Sequence, residues 1–260
     1  MFNLEHLKTI RHHEIKGVLA WLPAAGATLL EIGAGTGEQA KLLVRAGYQV
    51  QAVDLSQSNY ADARVFPVQE FDGVNLPFAD ASFDAIYSSN VLEHVAALTE
   101  LQAECRRVLR PAGVCVHVLP STAWRFWTFL SAYLNAIEAS GRLLVAVLGV
   151  RAGEGPYRRR VLREGFNALA AIRDAVFQSR HGERGNTLTE HWYFSARWWR
   201  AAFRRDGFDV LVSEPMGLFY TGYMVAGSRL SLRQRHMLAR YLGSACNLFV
   251  LMKADGRPSG

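Results

Sequence analysis

Three glycines at alternate positions, Gly33, Gly35 and Gly37, separate an apolar run from a predicted helix. A residue without Cβ lets the backbone turn sharply and lets a ligand lie directly against it. Dinucleotide sites instead use G-x-G-x-x-G, in which the third glycine comes one place later and the turn receives a pyrophosphate. Glu31 stands just before the first glycine. A carboxylate there repels a pyrophosphate and attracts an ammonium group, so the spacing favours a ligand with an amino-acid moiety.

Two aspartates further along the chain end predicted strands. Asp54 follows the glycine motif at a distance that suits an acceptor for two ribose hydroxyls, a role that NAD would also require. Asp72 ends a third strand, where its carboxylate can accept from an adenine amino group while Leu76 and Phe78 pack nearby. The alternative for Asp72 is a carboxylate that only holds a turn.

Short runs rich in branched or aromatic residues alternate with helix signals along the chain. The predicted strands are 28–33, 48–55, 65–71, 83–89, 113–119, 208–214 and 247–253. Helices are predicted at 37–47 and at 98–113, the second closed by Pro111 and Gly113. This order predicts an α/β fold with a doubly wound, mostly parallel sheet that binds its ligands at the carboxyl ends of the strands.

Four stretches carry a family resemblance over residues 28–120: "LLEIGAGTG", "AVDLS", "FDGVNLPFADASFDAIYSSNVLEHV" and "ECRRVLRPAGVCVHVLP". In order, spacing and type they resemble the motifs of class I S-adenosylmethionine-dependent methyltransferases, in the group that includes the quinone-biosynthesis methyltransferases. The resemblance implies a Rossmann-like sheet of seven strands. It also implies S-adenosylmethionine as the cofactor and S-adenosylhomocysteine as its product.

The resemblance further implies which residues hold the cofactor. Those that match the family's binding positions are Glu31, Gly33, Ala34, Gly35, Gly37, Asp54, Leu55, Asp72, Gly73 and Asn90. By the same resemblance, Glu31 to Gly35 surround the methionine part, Asp54 holds the ribose, Asp72 reaches the adenine, and Asn90 lies beside the sulfonium.

We expect a single methyltransferase domain over residues 1–260. Residues 28–120 form the cofactor-binding half, and 121–192 form a helical and loop insertion after the fifth strand. Residues 193–254 complete the sheet, with a second insertion at 214–246 before the last strand. Because the insertions are what the family does not share, we expect them to select the acceptor.

Three histidines are candidate catalytic bases. Methyl transfer from a sulfonium is an in-line displacement, so the protein must mainly align the acceptor and exclude water. A neutral hydroxyl acceptor also needs a base for its proton. His94 follows the fourth strand, and His181 and His191 lie in a polar stretch between two apolar segments. Each has a structural alternative, a packed histidine for His94 and a solvated loop for the other two, and His117 is expected to be buried and hydrogen-bonded.

The first insertion has two interpretations. One is a two-helix lid packed on the sheet, in which Leu162, Phe166, Leu169, Ile172 and Val176 recur at helical spacing. The other is a membrane contact in which aromatic residues meet lipid and arginines meet anionic head groups. The residues of this second interpretation are Trp124, Phe126, Trp127, Phe129, Arg158, Arg159 and Arg160.

Composition narrows the partners. The net charge of +6 is carried mostly by arginine and suits an anionic partner, but no nucleic-acid recognition module accompanies it. The three cysteines lie far apart, and no cluster of His, Cys and carboxylate shows ligand spacing, so we expect no metal. No uncharged apolar run approaches the ~20 residues of a membrane span, and the N-terminus lacks the apolar centre of a signal peptide. We therefore expect a cytoplasmic protein, at most peripheral to the inner face of the membrane.

Three functions stay open at this stage, and the oligomeric state is not predicted. The first is a methyltransferase of a hydrophobic, lipid-linked or saccharide-containing biosynthetic intermediate, with transfer to oxygen. The second is a methyltransferase of a small soluble metabolite or natural product. The third is a non-catalytic accessory protein that binds the cofactor without turnover.

Overall fold

A seven-stranded sheet forms the centre of the protein. The computed structural model describes residues 4–149, 156–178, 180–223 and 229–254. The strands are β1 (Thr28–Ile32), β2 (Gln49–Leu55), β3 (Gln69–Phe71), β4 (Phe83–Ser89), β5 (Leu109–Pro120), β6 (Phe208–Pro215) and β7 (Cys246–Lys253). Their order across the sheet is β3-β2-β1-β4-β5-β7-β6. Strands β1 to β5 pair in parallel, while β7 runs antiparallel to both β5 and β6, which confirms the predicted fold class.

Helices connect these strands and cover both faces of the sheet. They are α1 (Leu4–Leu19), α2 (Glu38–Arg45), α3 (Leu98–Val108), α4 (Thr122–Gly149), α5 (Pro156–Val176), α6 (Glu190–Tyr193), α7 (Ala196–Arg205) and α8 (Leu232–Leu242). Successive strand residues point to opposite faces, so Leu29 and Val116 join the core beside α1, while Leu30 and Cys115 join the core beside α3 and α7. Within the described ranges, no helix is both long and apolar enough to cross a bilayer.

Two predicted element boundaries are wrong at prolines. Helix α3 ends at Val108 rather than near residue 113, and β5 already begins at Leu109. The residue before a proline is disfavoured in the helical region, so Arg110 must be extended ahead of Pro111, and the chain enters the sheet early. Strand β3 is likewise shorter than predicted, Gln69–Phe71 rather than 65–71. Pro67 offers no N–H to a neighbouring strand.

The first insertion is a helical hairpin. Ser121 accepts a hydrogen bond from the Trp124 N–H at 3.1 Å and caps the start of α4. Helix α5 returns antiparallel to α4, since Gln178 Nε2 donates to the Phe129 carbonyl at one end and Arg142 Nε lies 3.7 Å from Glu164 at the other. The helices meet through small side chains, which permits close packing. These are Ala132, Ala136, Ala139, Ala168, Ala171 and Ala175.

A buried ion pair fixes the loop that follows the hairpin. Arg125 Nε lies 2.8 Å from Glu190 Oε2, and both side chains are almost fully buried. The other oxygen, Glu190 Oε1, accepts from the backbone N–H groups of His181 at 2.5 Å and Gly182 at 2.7 Å. One carboxylate in α6 therefore joins α4 to the loop and sets the position of His181.

Arg184 fastens the same loop to the turn after β4. Its guanidinium donates to the carbonyl oxygens of Leu92 at 3.4 Å and Val95 at 2.6 Å, and it lies 5.5 Å from the ring centre of Trp198. The loop that carries His181 and His191, for which a solvated loop was the structural alternative, is thus bound to α4 through Glu190 and to the turn after β4 through Arg184.

Removing the cation of the buried pair should destabilise the protein. We expect Arg125→Ala to lower the free energy of unfolding by about 3–5 kcal/mol, because the Glu190 carboxylate stays buried without its partner. Arg173→Ala is the matched control, since it removes an exposed partner of Asp174 and should cost at most about 1 kcal/mol. Urea unfolding of both variants measures the difference. Equal losses in the two variants would show that the buried pair does not hold the loop.

Candidate active site

The glycine turn between β1 and α2 demands residues without side chains. Gly33, Gly35 and Gly37 all have positive φ, at 71°, 55° and 79°. A Cβ at Gly33 would lie 2.3 Å from Val91 Cγ2, and one at Gly37 would lie 2.5 Å from Phe66 Cβ. At Gly35 a Cβ would lie 3.4 Å from Tyr60 Cδ2, which is an ordinary contact distance. Gly35 is therefore required for its backbone conformation rather than for space.

Asp54 joins the end of β2 to this turn. Its Oδ2 accepts from the Gly35 N–H at 3.0 Å, and its Oδ1 accepts from the Leu55 N–H at 2.8 Å. A carboxylate has further lone pairs, so both oxygens can also accept from a ligand's hydroxyls. The arrangement suits a ribose, as the sequence predicts.

Glu31 is a buried carboxylate beneath the turn. Burial, and then the charge of Asp54, raise the pKa of Glu31 to about 8. Its Oε2 is buried and has no hydrogen-bond partner among the described residues. An ammonium group of a ligand would satisfy this atom and favour the ionised carboxylate.

Asp72 holds a turn, which is one of the two roles that its sequence position left open, while its contact with an adenine stays a prediction. Its Oδ1 accepts from the N–H groups of Val74 at 2.8 Å and Asn75 at 2.7 Å, and its Oδ2 accepts from Asn75 Nδ2 at 2.6 Å. These hydrogen bonds, first the one from the Asn75 side chain, hold the pKa of Asp72 below its ordinary value. The carboxylate therefore holds a turn, and Oδ2 keeps accepting capacity toward a ligand.

A cavity of about 620 Å³ lies at the carboxyl ends of β1, β2 and β4. Most of the predicted cofactor residues line it, namely Gly33, Gly35, Asp54, Leu55, Asp72, Gly73 and Asn90. Glu31, near the end of β1, and Ala34 and Gly37, in the turn after it, do not line this cavity. Tyr60, Phe71 and Leu101, which were not predicted from the sequence, add apolar surface. Phe71 ends β3 and Leu101 lies in α3, but no sequence pattern marks Tyr60.

A second cavity of about 550 Å³ adjoins the first. The two share Tyr60, Asn90 and His94. The remaining wall comes from α1, from the α4–α5 hairpin and the loop after it, and from the second insertion. Its principal side chains are Arg11, Trp124, Thr128, Phe177, Arg180, His181, Tyr220 and Tyr223. Both insertions therefore border the space beyond the cofactor residues.

Asn90 stands at the boundary of the two cavities in a left-handed conformation, with φ of 55°. In the side-chain orientation that matches donors with acceptors, its amide oxygen lies 2.8 Å from Arg11 Nη1. Arg11 also donates to Glu14 Oε2 at 2.6 Å, and the Tyr220 hydroxyl donates to Glu14 Oε1 at 2.9 Å. This network, which sequence spacing did not reveal, ties α1 to the floor of the second cavity.

Two of the three candidate bases lie at these cavities. His94 borders both, its ring centre lies 4.7 Å from that of His181, and His181 lies 4.6 Å from the ring centre of Trp124. Burial lowers the pKa of His94. Burial, then His94 and then Arg125 lower the pKa of His181 to about 4. Both imidazoles are therefore neutral at pH 7 and can accept a proton.

His191 does not fit its predicted role. It lines neither cavity, its carbonyl oxygen accepts from Thr122 Oγ1 at 2.9 Å, and its ring lies 6.5 Å from Phe126. The short helix α6 carries the ring to the outer side of α4. His117 is buried with Nδ1 2.8 Å from Ser88 Oγ, which confirms its expected structural role.

Glu93 adds a buried carboxylate beside the two histidines. Burial raises the pKa of Glu93 to about 8, and neither carboxylate oxygen has a hydrogen-bond partner among the described residues. One ligand-type atom from each of Glu93, His94 and His181 lies within 4.8 Å of the others. Sequence spacing could not show this cluster, because its members come from two distant segments. At pH 7 the protonated Glu93 is a poor cation ligand, and the absence of a metal requirement stays a prediction.

Known proteins share both sequence and fold with this chain. Residues 30–117 match the family described as a methyltransferase domain. An uncharacterized methyltransferase of Mycobacterium avium is 40% identical over 109 residues, which are 39% of this chain and 42% of that protein. A ubiquinone biosynthesis O-methyltransferase of Caulobacter vibrioides is 26% identical over 182 residues, which are 65% of this chain and 68% of that protein.

A solved structure extends the likeness to the whole fold. The S-adenosylmethionine-dependent methyltransferase of Aquifex aeolicus is 12% identical, with a TM-score of 0.52 over 97% of this chain and 100% of that one. The match to the Mycobacterium relative covers only about two fifths of that protein's length, so its similarity concerns the cofactor-binding half.

The sheet order and the glycine turn together define the class I methyltransferase fold. Residues 30–117 are therefore similar to the methyltransferase domain family, within a fold that solved S-adenosylmethionine-dependent methyltransferases share, and S-adenosylmethionine is the cofactor that these matches support. The residues fit that molecule, since Glu31 has an unsatisfied buried oxygen for the ammonium and Asp54 can accept from the ribose.

Replacing Asp54 should weaken the binding of S-adenosylhomocysteine. We expect Asp54→Ala to cost about 1.5–3 kcal/mol, the range for hydrogen bonds to a charged group, as measured by titration calorimetry. Gly35→Val should abolish binding, because valine disfavours the positive φ and fills the turn. Asp84→Ala is the matched control, since it also removes a carboxylate that accepts a backbone N–H, from Thr28 at 2.8 Å, away from the cavity. Tight NAD binding without S-adenosylhomocysteine binding would contradict the cofactor assignment.

The binding of S-adenosylhomocysteine should release a proton from Glu31. The free carboxyl is largely protonated at pH 7 because its pKa is about 8, and an ammonium beside it favours ionisation. Affinity should therefore rise as pH increases toward 8. Calorimetry in buffers of different ionisation enthalpy measures the number of protons released on binding. The Glu31→Gln variant should not release the proton that comes from Glu31. The same proton release in wild type and Glu31→Gln would assign it to another group.

Proposed function

We propose that the chain transfers the methyl group of S-adenosylmethionine to an oxygen of a hydrophobic, lipid-linked or saccharide-containing acceptor in the second cavity. One observation carries this proposal. The cavity that contains the cofactor residues and the cavity bordered by the insertions share Tyr60, Asn90 and His94. A methyl group beside Asn90 would therefore face the second cavity.

The lining of the second cavity supports the acceptor class. Trp124, Phe177 and Tyr223 offer aromatic surface on which a lipid-linked group or the face of a sugar can pack. Arg11, which pairs with Glu14, Arg180, which pairs with Glu183, and Asp174 add charged groups of both signs. An apolar or sugar body with polar substituents would match this combination. The similarity to the Caulobacter ubiquinone biosynthesis O-methyltransferase favours oxygen as the accepting atom.

The protein's part in the transfer is to place the acceptor and remove its proton. S-adenosylmethionine supplies, when bound, a methyl group whose bond to sulfur breaks as the bond to the acceptor oxygen forms. His94 borders both cavities and is neutral, so it takes the hydroxyl proton. His181 packs against His94 and is itself positioned by Glu190 through its backbone N–H. The product S-adenosylhomocysteine and the methylated acceptor then leave.

A small soluble metabolite is the second candidate acceptor. A cavity of about 550 Å³ lies within the range of pockets for small ligands, so its size alone does not require a lipid. A non-catalytic accessory role would retain the cofactor cavity and show no turnover.

We place the protein in the cytoplasm, at most at the inner face of the membrane.

The proposed base makes transfer depend on pH in a defined direction. His94 must be neutral to act, and burial lowers its pKa below 6.5, so the rate should stay flat from neutral pH to below 6.5 and fall only in acid. His94→Gln should lower kcat by about 100-fold or more with little change in S-adenosylhomocysteine affinity. Transfer of a tritiated methyl group from S-adenosylmethionine into a lipid extract of the native host measures the kcat and its pH profile, and titration calorimetry measures the affinity for S-adenosylhomocysteine.

His191→Gln is the control for that experiment, because His191 lies outside both cavities. It should keep the wild-type rate and pH profile. An unchanged profile in His94→Gln, or equal loss in both variants, would remove His94 from the base role.

Transfer should not require a metal ion. A sulfonium needs no Lewis acid, and Glu93 is protonated at neutral pH because burial raises its pKa to about 8. Dialysis against a chelator should leave the rate within about twofold of its starting value. A rate that disappears with chelator and returns with one divalent ion would instead assign Glu93, His94 and His181 to that ion.

A further inference from the structure

The α4–α5 hairpin carries a large exposed apolar surface. Its large apolar side chains are exposed by between 39% and 78%. We call this set the hairpin face: Phe126, Leu130, Tyr133, Leu134, Ile137, Leu144, Val145, Val147, Leu148, Leu162, Phe166, Leu169, Ile172, Val176 and, directly after α5, Phe177. Soluble monomers rarely expose an apolar patch of this extent.

Helical geometry places most of the hairpin face on one side of the hairpin, while Leu134 and Val145 turn away from that side. In each helix the apolar stripe is rotated by about 140° from the alanines that face the other helix, in the same sense around the helix axis. Because the helices are antiparallel, equal rotations of the same sense bring the two stripes to the same side. Charged residues, including Arg142 and Arg163, fall on the other side. The hairpin is therefore amphipathic as a unit.

This arrangement differs from the expected lid. Contacts from α4 to the rest of the protein include Arg125 with Glu190, Trp127 Nε1 with the Leu242 carbonyl at 2.8 Å, and Thr128 with Gly222, all in its first two turns. Beyond them α4 packs on α5 through alanines and leaves its large side chains exposed.

The structure also corrects the residues assigned to a membrane contact. Trp124 is buried, and Trp127 and Phe129 are only partly exposed, so Phe126 alone of the four predicted aromatics belongs to the hairpin face. Arg159 and Arg160 are exposed on α5, while the side chain of Arg158 lies outside the described residues.

The position of Phe177 indicates what covers the hairpin face. Phe177 is 78% exposed at the end of the α5 stripe, and it also lines the second cavity. The apolar surface is thus continuous with the wall of that cavity. A bilayer on the hairpin face would bring hydrophobic molecules to the second cavity. A second copy of the chain on the same face would instead block the entrance to that cavity beside Phe177.

The charge of the protein also favours a bilayer on the hairpin face. Arg159 and Arg160 lie in the first turns of α5, and the chain carries a net charge of +6. An anionic lipid surface complements this charge, whereas a second copy of a basic chain repels it.

We propose that the α4–α5 hairpin lies in the interface of an anionic bilayer with the hairpin face in the lipid, and that the acceptor reaches the second cavity from the membrane beside Phe177. The docking rests on the hairpin alone. The route of the acceptor rests on the proposed function. In this position the helices lie along the membrane surface and their apolar side chains enter the boundary of head groups and acyl chains.

Flotation with vesicles tests the docking. Wild type should float with vesicles of phosphatidylcholine and phosphatidylglycerol at 7:3, float less in 0.5 M salt, and float weakly with phosphatidylcholine alone. Ile137→Glu with Phe166→Glu should lower binding by about tenfold or more. Both side chains are about 70% exposed, so the melting temperature should not change.

Leu188→Glu with Tyr241→Glu is the matched control, because it adds the same charge at exposed side chains outside the hairpin. It should float almost as well as wild type. Arg159→Gln with Arg160→Gln should lower binding to the anionic vesicles and leave binding to phosphatidylcholine unchanged. Equal flotation of wild type and the Ile137→Glu, Phe166→Glu variant would overturn the docking. A wild-type dimer that this variant dissociates, without vesicle binding, would assign the face to a second copy.

Transfer assays separate the docking from the proposed function. The Ile137→Glu, Phe166→Glu variant should lose methyl transfer to a lipid extract in anionic vesicles but keep it for the same extract in detergent. Equal transfer by wild type and variant in vesicles would overturn the route from the membrane. No transfer by wild type in either form would contradict the proposed function and leave the flotation result to decide the docking.

Discussion

A backbone without side chains at the carboxyl end of β1 is the constraint on which the site depends. Gly33, Gly35 and Gly37 take positive φ there, and two of them leave no room for a Cβ. The hydrogen bond from the Gly35 N–H to Asp54 then fixes the end of β2 against the same turn. Together they open the cofactor cavity between strands whose carboxyl ends the parallel sheet already gathers at one edge.

Burial of carboxylates gives this edge its electrostatic character. Glu31 and Glu93 lie behind the two cavities, and burial raises the pKa of each to about 8. Glu190, by contrast, is paired with Arg125 and uses its remaining oxygen to hold the backbone of His181. The same residue type therefore has no hydrogen-bond partner for Oε2 at Glu31, where we predict that a ligand's ammonium binds, and positions a loop at Glu190.

The sheet could be predicted from sequence because local patterns determine it. Branched and aromatic runs indicated each strand, and boundaries failed where prolines act, at the end of α3 and the start of β3. Most of the predicted cofactor residues gather at one cavity, because glycine spacing and strand-end acids are local signals of the strand ends; their contacts with the cofactor stay a prediction. Tertiary packing, by contrast, decides which side chains meet, as with His94 and His181 or Arg11 and Asn90. A pattern along the chain therefore could not show that His181 lies at a cavity and His191 does not. It also could not distinguish a hairpin packed on the sheet from one with an exposed apolar side.

The central claim is that one cavity holds the cofactor and the adjoining cavity holds the acceptor, with Asn90 and His94 at their junction. A crystal structure with S-adenosylhomocysteine tests it most directly. We predict the amino-acid group at Glu31 and the glycine turn, the ribose on Asp54, and the sulfur beside Asn90 with open space toward His94 and His181. A sulfur atom that faces away from the second cavity, or a ligand bound in that cavity instead, would contradict the account.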